Sequence, residues 1–258
     1  MRRAILLIAY GPGSMQGRAA LRAFDARVRQ LFPGLPVRWA YSSLLMRQRL
    51  AEARQKSDSV AKALQRLRLE NFSSVAVQPL QTICGAEYTQ VRLAAEEADN
   101  AGFQVRLGMP LLHSEDDVLR AAHAVTRHLP SGRQPLEDVI LMGHGARHAA
   151  AARYLALDTA VRRLDAHVHV GVMNGENDLD ALLPRLVSSR VWLLPLLSVI
   201  GRHAQEDMAG SDARSWRRRI EAAGHSCAPV LRGLVEYESF AALWLRHLEQ
   251  AMAALHTS

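Results

Sequence analysis

Two histidines stand in loops whose composition leaves them accessible. His144 is held between glycines in residues 139–148, VILMGHGARH, and His203 lies in the polar stretch GRHAQEDMAG. A neutral imidazole can ligate a divalent metal or accept a proton, and two of them from separate loops could do both. A carboxylate, Glu87 in GAEY, and a phenol, Tyr10 in AYGPGS, occupy comparable loops. Spacing does not choose between metal binding and proton transfer, and GHG alone also describes a tight turn with a surface histidine. Glu206 and Asp207, beside His203, could orient its ring or simply be solvated. His148, at i+4 from His144, shares its face if a helix begins at once.

The elements needed to position these groups are legible. Residues 139–142 are apolar without alternation, the pattern of a strand buried on both faces of a parallel sheet. Ligands of such sheets sit at the carboxyl ends of the strands. The glycines around His144 remove side-chain bulk, which predicts a sharp turn and room for a flat substrate. Further strands are predicted at 5–9, 37–41, 75–77, 104–107, 167–172, 191–194 and 226–230, separated by helical patterns. That alternation specifies an α/β fold with parallel sheets. Ser14 is placed to cap a helix running to about Leu31.

The chain also repeats itself. Residues 75–88, VAVQPLQTICGAEY, lie without a gap on residues 191–204, VWLLPLLSVIGRHA, matching Pro79 with Pro195, Gly85 with Gly201 and Glu87 with His203. Residues 6–14, LLIAYGPGS, lie likewise on residues 140–148, ILMGHGARH, with Tyr10 opposite His144. The expectation is an internal duplication: two similar parallel-sheet α/β half-domains, 1–130 and 131–258, facing across a cleft. The Pro- and Gly-containing segment 129–136 is the junction. Equivalent loops then bring Tyr10, Glu87, His144 and His203 to one place.

Composition narrows the partners. The net charge of +7, with Arg dominating the basic residues, favours an anionic partner. With aromatic residues at 5% and no basic tract interleaved with them, nucleic acid is not expected. Cys84 and Cys227 are the only cysteines and have no CxxC spacing, so neither a disulfide framework nor structural zinc is indicated, and a reducing cytoplasm is the expected location. No apolar run approaches a membrane span. GPGSMQG lacks the P-loop lysine, which makes nucleotide binding a weak alternative. His113, His123, His128, His167, His169, His225, His247 and His256 read as structural, and the run Arg217, Arg218, Arg219 as a solvated helix face.

Four stretches together carry a family resemblance: MGHGARHAAAARY (142–154), SVIGRHAQEDMAGSDARSW (198–216), AVQPLQTICGAEY (76–88) and GMPLLHSEDD (108–117). They closely resemble the anaerobic sirohydrochlorin cobalt chelatases, and the resemblance spans nearly the whole chain. It implies two α/β domains around a cleft, as in the related ferrochelatases, and insertion of a divalent metal into a precorrin-derived tetrapyrrole without nucleotide hydrolysis. Co2+ is the metal it implies, as substrate, and a homo-oligomer the assembly. By the same resemblance His144 and His203 are metal-site residues and Glu87 sits near the macrocycle. Tyr10 and Ser14 are expected to line the tetrapyrrole site, with the helix N-termini at Ser14 and Ala146 facing its carboxylates.

Two positions depart from the family pattern. Asn174, in GVMNGENDLD, stands where the family has a metal-site glutamate, and it offers an oxygen without the charge. Glu176, two positions on, points to the same side and can substitute for it if the strand remains extended. Gln81 stands where these chelatases commonly have His in QPLH. The alternatives are a non-catalytic tetrapyrrole or metal carrier, or a chelatase for Ni2+ or Fe2+.

Overall fold

The computed structural model describes residues 2–146 and 148–255, without the side chains of 148 and 149. The first half runs β1 (Arg3–Ala9), α1 (Met15–Leu31), β2 (Val37–Tyr41), α2 (Leu44–Glu52), α3 (Val60–Leu69), β3 (Ser74–Pro79), α4 (Ala86–Ala98), β4 (Gln104–Leu107) and α5 (Glu115–Arg127). The second runs β5 (Asp138–Gly145), α6 (Ala152–Leu164), β6 (Val168–Asn174), α7 (Leu179–Leu182), β7 (Arg190–Pro195), α8 (Trp216–Ala222), β8 (Ser226–Pro229) and α9 (Glu238–Ala254).

Each half forms a four-stranded sheet in which every pairing is parallel, in the orders β2-β1-β3-β4 and β6-β5-β7-β8. The two orders are the same, as a duplicated unit requires. Pro79 ends β3 and Pro195 ends β7, so the aligned prolines occupy equivalent places.

Both central strands are buried on two faces, which explains their unbroken apolar runs. Ile5, Leu7 and Ala9 on β1, with Val139 and Leu141 on β5, join one core that also takes in α1, α5, α6 and α9. Their alternates face outward. Leu6 and Ile8 pack under α3 and α4, while Ile140 and Met142 pack with Leu179, Leu182, Trp216 and Ile220 of α7 and α8.

The closing helix α9 returns to the first half and packs on β3, β4 and α5. Trp244 Nε1 donates to the Gln81 carbonyl at 3.2 Å, and the buried His247 sits between Asp117 and the Met109 carbonyl, each at 3.0 Å. An amphipathic pattern states that a helix packs but not on what.

Two local differences from the sequence reading concern the His144 segment. β5 does not stop at Met142 but stays extended through Gly145. A 3-10 turn, His148–Ala151, then precedes α6, so no helix begins at Ala146 and the i+4 relation of His148 to His144 has no helix to act through. The His148 ring itself lies outside the described side chains. Among the described residues no helix is long and apolar enough to cross a membrane.

Candidate active site

In each sheet the connections diverge between the first and third strands, β1 and β3 or β5 and β7. That divergence opens a crevice at their carboxyl ends, the place where doubly wound sheets bind ligands. The ends of these strands and the loops leaving them carry Tyr10 to Ser14, Leu80 to Gly85, His144 and His203.

The two crevices are joined to each other. The Ser14 hydroxyl accepts from Gly17 N–H at 3.0 Å, capping α1, and donates to the Ile200 carbonyl at 2.8 Å in the loop before His203. The Thr82 and Tyr154 hydroxyls are 3.0 Å apart, joining the β3 loop to α6. A Cβ on Gly13 would lie 3.3 Å from Gly201 Cα, so main chain meets main chain at this seam.

His144 is exposed at the end of β5 and His203 is half-buried in a π-helical turn, His203–Met208. Their ring centroids are 5.2 Å apart and the rings are nearly perpendicular, at 77°. Two imidazoles bound to one tetrahedral ion, with metal–nitrogen bonds of about 2.0–2.1 Å, have centroids roughly 5 Å apart. The pair is therefore already at a chelating separation. Asp207 Oδ2 lies 2.6 Å from His203 Nδ1, which directs Nε2 outward. Arg202 takes Glu206 instead, at 2.6 Å, so of the two acidic neighbours only Asp207 orients the ring. Single π-turns insert one extra residue and re-aim side chains, which is how this loop delivers both His203 and Asp207.

Electrostatics favours an uncharged His144. Partial burial lowers its pKa below the usual 6.5 and the neighbouring His203 lowers it further, against a main-chain hydrogen bond to Gly145 and the Asp207 charge. Glu87, in the first turn of α4, moves the other way: burial raises its carboxyl, partly opposed by His203. A depressed imidazole beside a raised carboxyl gives one group that receives a metal or proton without charge repulsion and another able to hold a proton closer to neutrality.

The glycines around His144 have a packing purpose beside the sharp turn that the sequence suggested. A Cβ on Gly143 would come 2.7 Å from Tyr154 Cε1, and one on Gly145, at φ +89°, would come 2.0 Å from the Asn174 carbonyl oxygen. They seat Tyr154 and β6 against the strand, and Gly145 also supplies the positive φ of the turn. Tyr154 is buried, its hydroxyl meets that of Thr82, and its phenol is raised by burial, with Thr82 and the Gly145 main chain opposing. Sequence reasoning passed over Tyr154. The signal was the bulky ring opposite a glycine, which needs coordinates to recognise.

The remaining expected residues divide. Tyr10 is 42% exposed at the end of β1, the counterpart of His144. Asn174 closes β6 in register with Gly145, and its Nδ2 donates a long bond, 3.4 Å, to the His144 carbonyl. The strand ends there and Gly175, at φ +148°, turns the chain, so the extended geometry that Glu176 needed is absent. Among the described residues no three His, Cys, Asp or Glu side chains converge as a metal site. Two surface concavities of about 250 and 340 Å³ lie beside Trp39 and Tyr41, and neither is lined by the histidines or Glu87.

Comparison with known proteins agrees with this architecture. The sequence profile of the family described as "Cobalt chelatase (CbiK)" matches residues 3–253. A sirohydrochlorin cobaltochelatase, CbiKC, of Nitratidesulfovibrio vulgaris is 52% identical, covering 98% of this chain and 92% of its own. The sirohydrochlorin cobaltochelatase of Salmonella typhimurium is 32% identical, covering 98% and 97%. In fold the chain is similar to SirB of Bacillus subtilis with Fe3+, at a TM-score of 0.66 and 12% identity over 100% and 98% of the two chains. The chain belongs to the CbiK cobalt chelatase family.

Proposed function

We propose that this chain inserts Co2+ into sirohydrochlorin, without nucleotide hydrolysis, at the groove between His144 and His203. The observation that carries the reading is the 5.2 Å separation of the two imidazoles, one of them backed by Asp207. The two sirohydrochlorin cobaltochelatases at 52% and 32% identity support the substrate. A net charge of +7 suits a polycarboxylate macrocycle.

Co2+ enters as substrate. His144 and His203 offer it one nitrogen each, leaving positions open for pyrrole nitrogens. The pyrrole N–H protons must leave as the metal enters. Glu87, with its raised carboxyl and its electrostatic coupling to His203, receives them and passes them to solvent. Substrate carboxylates meet the free N–H groups at the start of α1 rather than the Ser14 hydroxyl, which is already committed to Ile200.

The absence of a third anionic ligand at Asn174 favours one second reading, a carrier that binds metal or tetrapyrrole without joining them. Absorbance of the purified protein with sirohydrochlorin and Co2+, against the metal-only rate, separates the two. Insertion is expected to fall by at least about a hundredfold in His144→Ala and in His203→Ala, on the scale of losing a ligand rather than its support. Normal turnover by both folded variants rejects the site, and binding without turnover by the unaltered protein identifies the carrier.

A further inference from the structure

His128, His167, His169, His225 and His247 are each held by a serine, a carboxylate or a main-chain carbonyl, as structural histidines should be. His113 is not. Its Nδ1 lies 3.6 Å from the Sγ of Cys84, and both residues are exposed. Cys84 leaves the β3 loop three residues before Glu87, and His113 immediately precedes Ser114, the cap of α5.

The separation has a chemical meaning. A thiolate at about 2.3 Å and an imidazole at about 2.0–2.1 Å on one tetrahedral ion stand roughly 3.6 Å from each other. The two loops are also locked together. Leu111 N–H donates to the Gln81 carbonyl at 3.0 Å and Leu112 N–H to the Thr82 carbonyl at 2.8 Å, so the pair is preorganised. From the same loop Thr82 reaches Tyr154, whose ring packs against Gly143 beside His144.

We propose that Cys84 and His113 form a second divalent-metal site at the rim of the groove, which captures Co2+ from solution and hands it to His144 and His203. The ion binds the Nδ1 lone pair and the sulfur, the thiol proton is released to water, and water fills the remaining positions. A thiolate selects cobalt, nickel and zinc over magnesium and calcium, so the site filters the metal before it meets the macrocycle. The delivery role rests on the chelatase reading, whereas the binding does not.

The test uses Co2+ alone on the full chain carrying His144→Ala and His203→Ala, which removes the first site. One equivalent of Co2+ should give a thiolate-to-cobalt charge-transfer band in the near ultraviolet. Adding Cys84→Ser should abolish the band, and adding His113→Ala should weaken binding at least about tenfold. No band, or a band that survives Cys84→Ser and so belongs to Cys227, overturns the site. In an otherwise unaltered chain Cys84→Ser should raise the KM for Co2+ at least about fivefold, with excess Co2+ restoring most of the rate. An unchanged KM overturns delivery. Failure of the chelatase reading shows elsewhere, as insertion that persists when both groove histidines are gone. Both substituted side chains are exposed, and matching thermal melts establish that the variants fold.

Discussion

The hydroxyls of Thr82 and Tyr154 are 3.0 Å apart, and through them the loop after β3 is fastened to the segment that presents His144. Thr82 belongs to one half of the duplication and Tyr154 to the other. The bond therefore fixes how the Glu87 loop sits against the histidine loop. Tyr154→Phe keeps the ring that fills the space beside Gly143 but leaves the Thr82 hydroxyl without its partner. A loss of about 1–3 kcal/mol is expected from urea denaturation, with a lower kcat for insertion than the stability loss alone would produce. An unaltered kcat in the folded variant would reject the coupling of this bond to the site.

Asp207 and His203 make a separate test. The carboxylate meets Nδ1 and is otherwise exposed, so Asp207→Ala should spare the fold to within about 0.5 kcal/mol. Loss of ring orientation is expected to weaken Co2+ binding by about 10–100-fold, measured as the KM for the metal. If KM is unmoved, the outward direction of Nε2 does not depend on this pair.

Asn174 is the position where charge is missing. Its side-chain bond to the His144 carbonyl is long, 3.4 Å, so little is given up by replacing it. Asn174→Glu is expected to tighten Co2+ binding by roughly tenfold, since a carboxylate is a better ligand for this ion than an amide. A titration of Co2+ by equilibrium dialysis decides it, and equal or weaker binding shows that the end of β6 does not reach the metal.

Acid should destabilise the fold through His247 and His169. Burial lowers both imidazoles below 6.5; Asp117 and the Met109 carbonyl oppose this at His247, while Arg185 adds to it at His169. A lowered folded-state pKa means that the unfolded chain takes up protons the folded chain refuses. Their contribution is complete above about pH 6.5 and is lost as pH falls toward the folded values. Asp117 acts in the same direction at lower pH. Burial alone would raise its carboxyl, but the Ser114 hydroxyl and N–H, with His247, hold it below 3.8. Stability from urea melts should decline between about pH 7.5 and 5.5, by up to about 1.4 kcal/mol per pH unit for each proton taken up. His247→Gln should flatten the slope, and an unchanged slope assigns it elsewhere.

Much of this was legible because burial on two faces writes itself into sequence. The unbroken run before His144 specified β5, and the matched prolines located β3 and β7 in equivalent places. The same repeat set Tyr10 at the end of β1 where His144 ends β5, and Glu87 opposite His203, whose charge it feels. What could not be read depended on the third dimension. The two glycines beside His144 were evident, but the atoms crowding them, Tyr154 and the Asn174 carbonyl, come from other elements. The return of α9 to the first sheet and the Cys84–His113 contact are likewise meetings of distant segments with no periodicity to announce them. Glu176 failed for a local reason: one glycine with positive φ ended the extended backbone on which its reach depended.

The approach of Gly13 to Gly201 bears on how the two halves are spaced. With no side chains interposed, the spacing of the two walls at that point is set by peptide geometry and cannot be tuned by rotamers. The seam behaves as a fixed spacer, and an alanine at Gly13 would act as a shim that presses its loop away from the Gly201 backbone, whereas a methyl group at Gly201 would enter open space.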